Sequence, residues 1–292
     1  MKRHQSHPPV PPRALPPART VIVPGRGEFF LRDTGGEGAA VLLLHGWMAT
    51  ADLNWAGAYS ALAEAGHRVL AIDHRGHGRG LRSLVPFRLA DCAADAAGVL
   101  RVLDTGPATI VGYSMGGAIA QIFAREHAEL AAGVVLGGTA QHWQDPPTQR
   151  RFRALGLLGL GLSVAPRQLY HLGLARSGIP EGESAAWLES ELLRHSARDI
   201  AEAGRELGRF DSRSWLSTVE PKVAVLVTLR DELVAPGKQR ELAAAAGGPV
   251  VEADISHMQV VERAGQFNPP LLEAITVVSG AYRSAPSGTL AA

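Results

Sequence analysis

The chain has 292 residues, of which 46% are hydrophobic and 20% charged, the make-up of a folded globular protein and not of a disordered one. Its 29 Lys and Arg against 28 Asp and Glu leave a formal charge of +1, so the charge balance gives no indication of nucleic acid or an acidic membrane surface as partner. Cys92 is the only cysteine, which excludes an internal disulfide and a cysteine-rich zinc site and is compatible with a reducing cytoplasm, the expected location.

Residues 1–20 carry Lys2, Arg3, Arg13 and Arg19, no acid and six prolines. No apolar run follows this basic start, so it does not read as a secretory signal. It reads as a disordered arm of polyproline character. No run of 18 apolar residues occurs further on, so no membrane span is expected.

From residue 21 onward, short β-rich runs alternate with helical patterns. Residues 21–23 and 28–33 read as the first strands, with Pro24-Gly25 as the turn between them. Largely apolar runs follow at 41–44, 68–72 and 109–111, and the series continues at 133–136, 222–229 and 249–253. Continuous apolar runs of this length suit parallel strands covered on both faces. Helical spacing of apolar residues marks 55–65, 89–103, 116–127, 237–246 and a segment from about 259. Together they predict an α/β protein with a mostly parallel eight-stranded sheet flanked by helices.

The alternation stops between 141 and 219, which holds Trp143, Trp187 and Trp215, helical periodicity and no clear strand. We read 141–219 as a helical cap over the strand ends, with 21–140 and 220–282 forming the core. Within the cap, the glycine-rich run 156–161 has no strand before it and is not a dinucleotide fingerprint. The apolar stretch 155–164 suits an inner face of the cap and is too short to span a bilayer.

Three motifs sit at strand ends, where ligands bind in open α/β sheets. They are His45-Gly46-Trp47, Asp73-His74-Arg75-Gly76-His77-Gly78 and Gly112-Tyr113-Ser114-Met115-Gly116. The last matches G-x-S-x-G between a strand and a helix. There a tight turn crowds the backbone and lifts a serine hydroxyl above the sheet. A serine needs a base to take its proton and an acid to orient that base. His257, after the run 249–253, and Asp231, after the run 222–229, stand at later strand ends in the order serine, acid, base. Glu232 and Asp254 are the rival acids.

These motifs, taken in order, resemble the α/β-hydrolase fold superfamily, in the form of a serine hydrolase with a helical cap. The resemblance covers about residues 21–280 and includes Leu229-Arg230-Asp231 through Pro236 and Ser256-His257. It implies Ser114 as nucleophile, His257 as base, Asp231 as acid and the backbone N–H groups of Trp47 and Met115 as oxyanion donors. It implies that the ring of His45 ties neighbouring loops together, and that the 73–78 loop braces the site without binding a metal. No cofactor is implied. One position departs from the pattern: many relatives have glycine three residues before the acid, and this chain has Thr228.

The substrate expected is a small or medium carboxylic ester or lactone with an apolar acyl or aromatic group, and Tyr113, Trp143 and Met258 are expected to line its pocket. Relatives with the same triad cleave C–C bonds, open enol-lactones or act as cofactor-free peroxidases, and these readings stay open. So does a non-catalytic ligand-binding role for the fold. Arg150, Arg151 and Arg153 fit either a solvated helix face or a groove for a carrier-bound acyl chain. The oligomeric state is not legible.

Overall fold

A computed structural model describes residues 9–146, 148–150, 168 and 182–280. The strands are β1 (Ala18–Val23), β2 (Gly27–Asp33), β3 (Ala40–Leu44), β4 (Arg68–Ile72), β5 (Ala108–Tyr113), β6 (Ala131–Gly137), β7 (Val223–Thr228) and β8 (Val250–Ala253). They form one eight-stranded sheet in the order β1-β2-β4-β3-β5-β6-β7-β8. β1 pairs antiparallel with β2, and β2 with β4; every later pairing is parallel. The expected mostly parallel sheet is therefore the observed one.

Helices α1 (Ala51–Trp55), α2 (Tyr59–Glu64), α3 (Leu89–Leu103), α4 (Met115–Glu126), α7 (Pro236–Ala246) and α8 (Ala264–Ser279) cover both faces of the sheet, while α5 (Glu183–Leu192) and α6 (Ala197–Arg209) lie between β6 and β7. Every residue of β3, β5 and β7 is buried, which explains why, Thr109 and Thr228 apart, their sequences are free of polar side chains other than the Tyr113 hydroxyl. Alternate residues serve opposite faces: Leu42, Leu44 and Ile110 pack with α3, α4 and α7, whereas Val41, Leu43 and Val111 pack with α1, α2 and α8.

Two boundaries differ from the sequence reading. The helix expected over 55–65 is two short helices, with Trp55 ending the first. At the join, a Cβ on Gly57 would lie 2.9 Å from the Ala264 Cβ, so the chain bends where it must pass close to the start of α8. The arm expected to lack order through residue 20 instead enters β1 at Ala18, and Asp33 N–H donates to the Pro17 carbonyl at 3.1 Å. Residues 1–8 lie outside the described residues, as do the glycine-rich 156–161, the apolar 155–164, Arg151 and Arg153.

The insertion between β6 and β7 is bolted to the core by polar contacts. Ser196 N–H donates to the Gly76 carbonyl at 2.9 Å, Trp47 Nε1–H to the Ile200 carbonyl at 2.8 Å and Phe87 N–H to Glu202 Oε2 at 2.8 Å. Arg79, from the loop after β4, makes a bidentate pair with Glu191 of α5, and the Glu191 side chain is only 1% exposed. Removing one partner of a buried pair leaves the other charge desolvated. Arg79→Met is accordingly expected to lower the stability by about 3 kcal/mol, read as a drop in the urea midpoint. Glu191→Gln, which deletes the buried charge, should cost distinctly less. Among the described residues no helix is long and apolar enough to cross a membrane.

Candidate active site

Ser114 sits between β5 and α4 with φ 54° and ψ −117°, a conformation that side chains other than glycine rarely adopt. The strain is held from both sides. A Cβ on Gly112 would lie 2.2 Å from the Gly116 carbonyl oxygen, and one on Gly116 would lie 2.1 Å from the Leu44 carbonyl oxygen. Glycine at both positions is a requirement of the turn, which is why the sequence signature has that form. Met115 opens α4, so its N–H is among the first helical donors that have no acceptor within the helix.

Asp231 follows β7 and is buried, with both carboxylate oxygens occupied. Oδ1 accepts from Leu233 N–H at 2.9 Å and Val234 N–H at 2.8 Å. Oδ2 accepts from the Thr228 hydroxyl at 2.7 Å and meets His257 Nδ1 at 2.7 Å. Glu232 beside it is exposed, and Asp254 is exposed in an ion pair with Arg230 at 2.9 Å, so the rival acids face outward. His257 is tied to the serine turn as well: the Tyr113 hydroxyl donates to the His257 carbonyl at 2.8 Å, and the two rings lie 5.1 Å apart. Burial pushes the Tyr113 phenol well above its ordinary range, which keeps it a donor in this contact.

The loop after β3 is fixed beside the serine. A Cβ on Gly46 would lie 3.3 Å from the Ser114 Cβ, so this backbone passes directly over the turn. Gly46 N–H donates to Asn54 Oδ1 at 2.9 Å, and its carbonyl lies 2.8 Å from His45 Nδ1. His45 Nε2 accepts from His74 N–H at 3.0 Å, which joins the loops after β3 and β4 as the resemblance implied. Burial pushes His45 down to about 3, so it stays neutral and keeps this acceptor.

The loop after β4 is a buried polar knot. Asp73 accepts from Ala51 N–H at 2.7 Å and Arg79 N–H at 2.8 Å, and burial raises its carboxyl to about 6. The rings of His74, His45, His77 and the cap residue His195 lie against one another in that order, tilted or edge-on, with centroids 4.3 Å, 5.4 Å and 5.5 Å apart for the 45–74, 45–77 and 77–195 pairs. His195 Nδ1 accepts from Gly78 N–H at 3.0 Å, a contact that reaches from cap to core. Among the described residues, no group of three or more His, Cys, Asp or Glu side chains is arranged to hold a metal ion.

The sequence model of the alpha/beta hydrolase fold family matches residues 39–264, more than three quarters of the chain. The chain belongs to the α/β-hydrolase fold family.

Relatives of this α/β-hydrolase carry several activities. Epoxide hydrolase B of Mycobacterium tuberculosis (strain ATCC 25618 / H37Rv) is 39% identical over 101 residues, which are 34% of this chain and 28% of that protein. A non-heme haloperoxidase of Rhodococcus erythropolis is 37% identical over 112 residues, 38% of this chain and 40% of that protein. The matches thus span well under half the length of these relatives. Among solved structures, the enol-lactonase from Burkholderia xenovorans LB400 superposes with a TM-score of 0.71 and 26% identity, covering 88% of this chain and 100% of that one.

Of the residues expected to line a pocket, Tyr113 and Trp143 are buried and Met258 is exposed. Tyr113 is buried behind the serine turn, edge-on to Trp55 and Phe267 at 6.3 Å and 6.1 Å. Trp143 is buried in the core cluster against Phe210 at 5.8 Å. Met258 is 80% exposed. Asn54, Gln239 and His195 also hold the site together. Their partners lie 8, 11 and 117 residues away in sequence, and nothing local announces them.

Proposed function

We propose that this α/β-hydrolase is a serine hydrolase that cleaves a carboxylic ester or lactone through an acyl-enzyme. The observation that carries the reading is the Asp231–His257 pair, bonded at 2.7 Å and tied through Tyr113 to the strained turn that presents Ser114.

In this reading His257 Nε2 takes the Ser114 proton as Oγ bonds to the substrate carbonyl carbon. The carbonyl π pair moves onto oxygen, where the N–H groups of Met115 and Trp47 receive it. Collapse of this intermediate breaks the C–O bond to the leaving group, which departs with the proton held by His257. Water then adds to the acyl carbon by the same base, and Ser114 leaves with its proton restored. Asp231 accepts from Nδ1–H throughout and stabilises the imidazolium without itself taking the proton.

Ester or lactone chemistry is favoured over epoxide opening because family members that open epoxides attack with aspartate at this turn, and here it is Ser114. The substrate proposed is small to medium, with an apolar acyl or aromatic group. The likeness to an enol-lactonase supports including lactones, and the likeness to a haloperoxidase keeps the cofactor-free peroxidase reading as the alternative. Residues 141–219 are proposed to act as the cap domain over the site.

The test is hydrolysis of p-nitrophenyl esters of increasing acyl length beside a set of simple lactones. Turnover that peaks at a short or medium chain supports the reading. Absence of turnover on every ester and lactone would overturn it.

A further inference from the structure

The position that departs from the family pattern, Thr228, lies in the site. It is fully buried at the end of β7, and Gln239, one turn into α7, is fully buried against it. Five contacts hold the two residues to one another, to the acid and to the Val234 carbonyl. Gln239 Oε1 accepts from Thr228 N–H at 3.0 Å. Gln239 Nε2 donates to the Val234 carbonyl at 2.7 Å and to Thr228 Oγ1 at 2.9 Å, with Asp231 Oδ2 at 3.3 Å from the same nitrogen. Thr228 Oγ1 lies 2.7 Å from Asp231 Oδ2.

Counting donors fixes the direction of every proton. The carboxamide cannot be turned over, because its oxygen must face the Thr228 N–H and its nitrogen the Val234 carbonyl. Its second N–H then points at Thr228 Oγ1, which is left with one hydrogen to give. The other acceptors in reach are Gln239 Oε1 at 3.3 Å and the Tyr113 phenol oxygen, both neutral, so the short contact to the charged Asp231 Oδ2 takes it. Glycine at 228 could supply the N–H but not the hydroxyl.

We propose that Thr228 and Gln239 are positioning residues of the reaction: they lock the Asp231 carboxylate in the rotamer whose Oδ2 meets His257 Nδ1. The inference rests on the serine-hydrolase reading above and adds to it. Three neutral or backbone donors hold Oδ1 and Oδ2 in place, so the imidazole meets a carboxylate that cannot swing toward Glu232 or solvent. The hydroxyl also draws charge from the very oxygen that His257 uses. Its loss has two separable effects. The imidazole is aimed less well, which lowers the turnover. The carboxylate holds the imidazolium more strongly, so the base stays protonated to higher pH.

The experiment is the pH dependence of kcat and kcat/KM on a p-nitrophenyl ester for wild type, Thr228→Val, Thr228→Ser and Ser114→Ala. Thr228→Val keeps the shape of the side chain and removes the hydroxyl. The expected result is a kcat about ten-fold lower with KM within about two-fold, an acidic limb displaced to higher pH, and recovery of both in Thr228→Ser. Thr228→Ala should reproduce the limb shift if the valine variant folds poorly. A Thr228→Val enzyme with wild-type kcat and an unmoved acidic limb would overturn the proposal. So would a Thr228→Ser enzyme no better than Thr228→Val. In either case an inactive Ser114→Ala would leave the serine-hydrolase reading standing, whereas an active Ser114→Ala removes both.

Discussion

Replacing Ser114 by alanine is expected to reduce kcat for an activated ester by at least about 10⁴-fold, with the fold and the substrate affinity nearly unchanged. The size follows from what the turn does. The conformation of Ser114, at φ 54°, stores strain of about 1–3 kcal/mol that a structural serine would have no reason to keep. Alanine at the same place keeps the strain, the Gly112 and Gly116 contacts and the helix start, and loses only the oxygen. The residual rate is what the oxyanion donors and binding supply without a nucleophile. Steady-state kinetics on purified wild type and variant, with circular dichroism to match their folds, checks it. A loss of less than ten-fold would show that the oxygen at 114 is not the attacking atom.

A second large effect concerns acid. The melting temperature is expected to fall by more than about 10 °C between pH 7 and pH 5. Four buried imidazoles carry the prediction. Burial pushes His45 down to about 3 and His195 to about 4, and pushes His74 and His77 well below the ordinary histidine value. Backbone hydrogen bonds to Gly46, His45, Arg75 and Met48 pull the other way, but burial outweighs them. The rings face one another, and Arg82 adds positive charge beside His77 and His195. Among the described residues His77 Nε2 has no hydrogen-bond partner.

The sign follows from linkage. Each of these groups is depressed in the folded state, so its contribution is intact above about 6.5 and is lost as pH falls toward the folded value. In that window the unfolded chain binds protons that the folded one refuses. Asp73 opposes them: its carboxyl is raised to about 6, so between the ordinary 3.8 and 6 the folded state binds a proton the unfolded one does not. Four protons against one leave a net slope of at most about 4 kcal/mol per pH unit near pH 5. Thermal melts in matched buffers at pH 7, 6 and 5 check it. A melting temperature constant across that range would contradict the burial of the four rings. Because His195 belongs to the insertion and the other three to the core, the cap–core junction is the place where acid should act first.

Much of this site was legible in the sequence because its chemistry constrains local residue types. G-x-S-x-G is forced by carbonyl oxygens that stand about 2 Å from where a Cβ would be. The largely apolar runs of β3, β5 and β7 follow from burial on both faces. Asp231 and His257 could be named because each must stand at a strand end; the two lie 2.7 Å apart, while Glu232 and Asp254 are exposed. What could not be read depends on contacts distant in sequence. Thr228 registered only as a departure from a pattern, since its use requires Gln239 eleven residues on to turn its amide inward. Apolar bulk near a motif does not say which way it points, and Tyr113 and Trp143 are both buried. Arg79 and Glu191, 112 residues apart, could be paired only by the fold.

The most direct measurement is covalent. Wild-type protein incubated with a fluorophosphonate should gain the mass of one adduct, and peptide mapping should place it on Ser114. The Ser114→Ala protein should gain none. An unmodified wild type, or an adduct that persists in Ser114→Ala, would contradict the assignment of a triad-activated nucleophile at this turn.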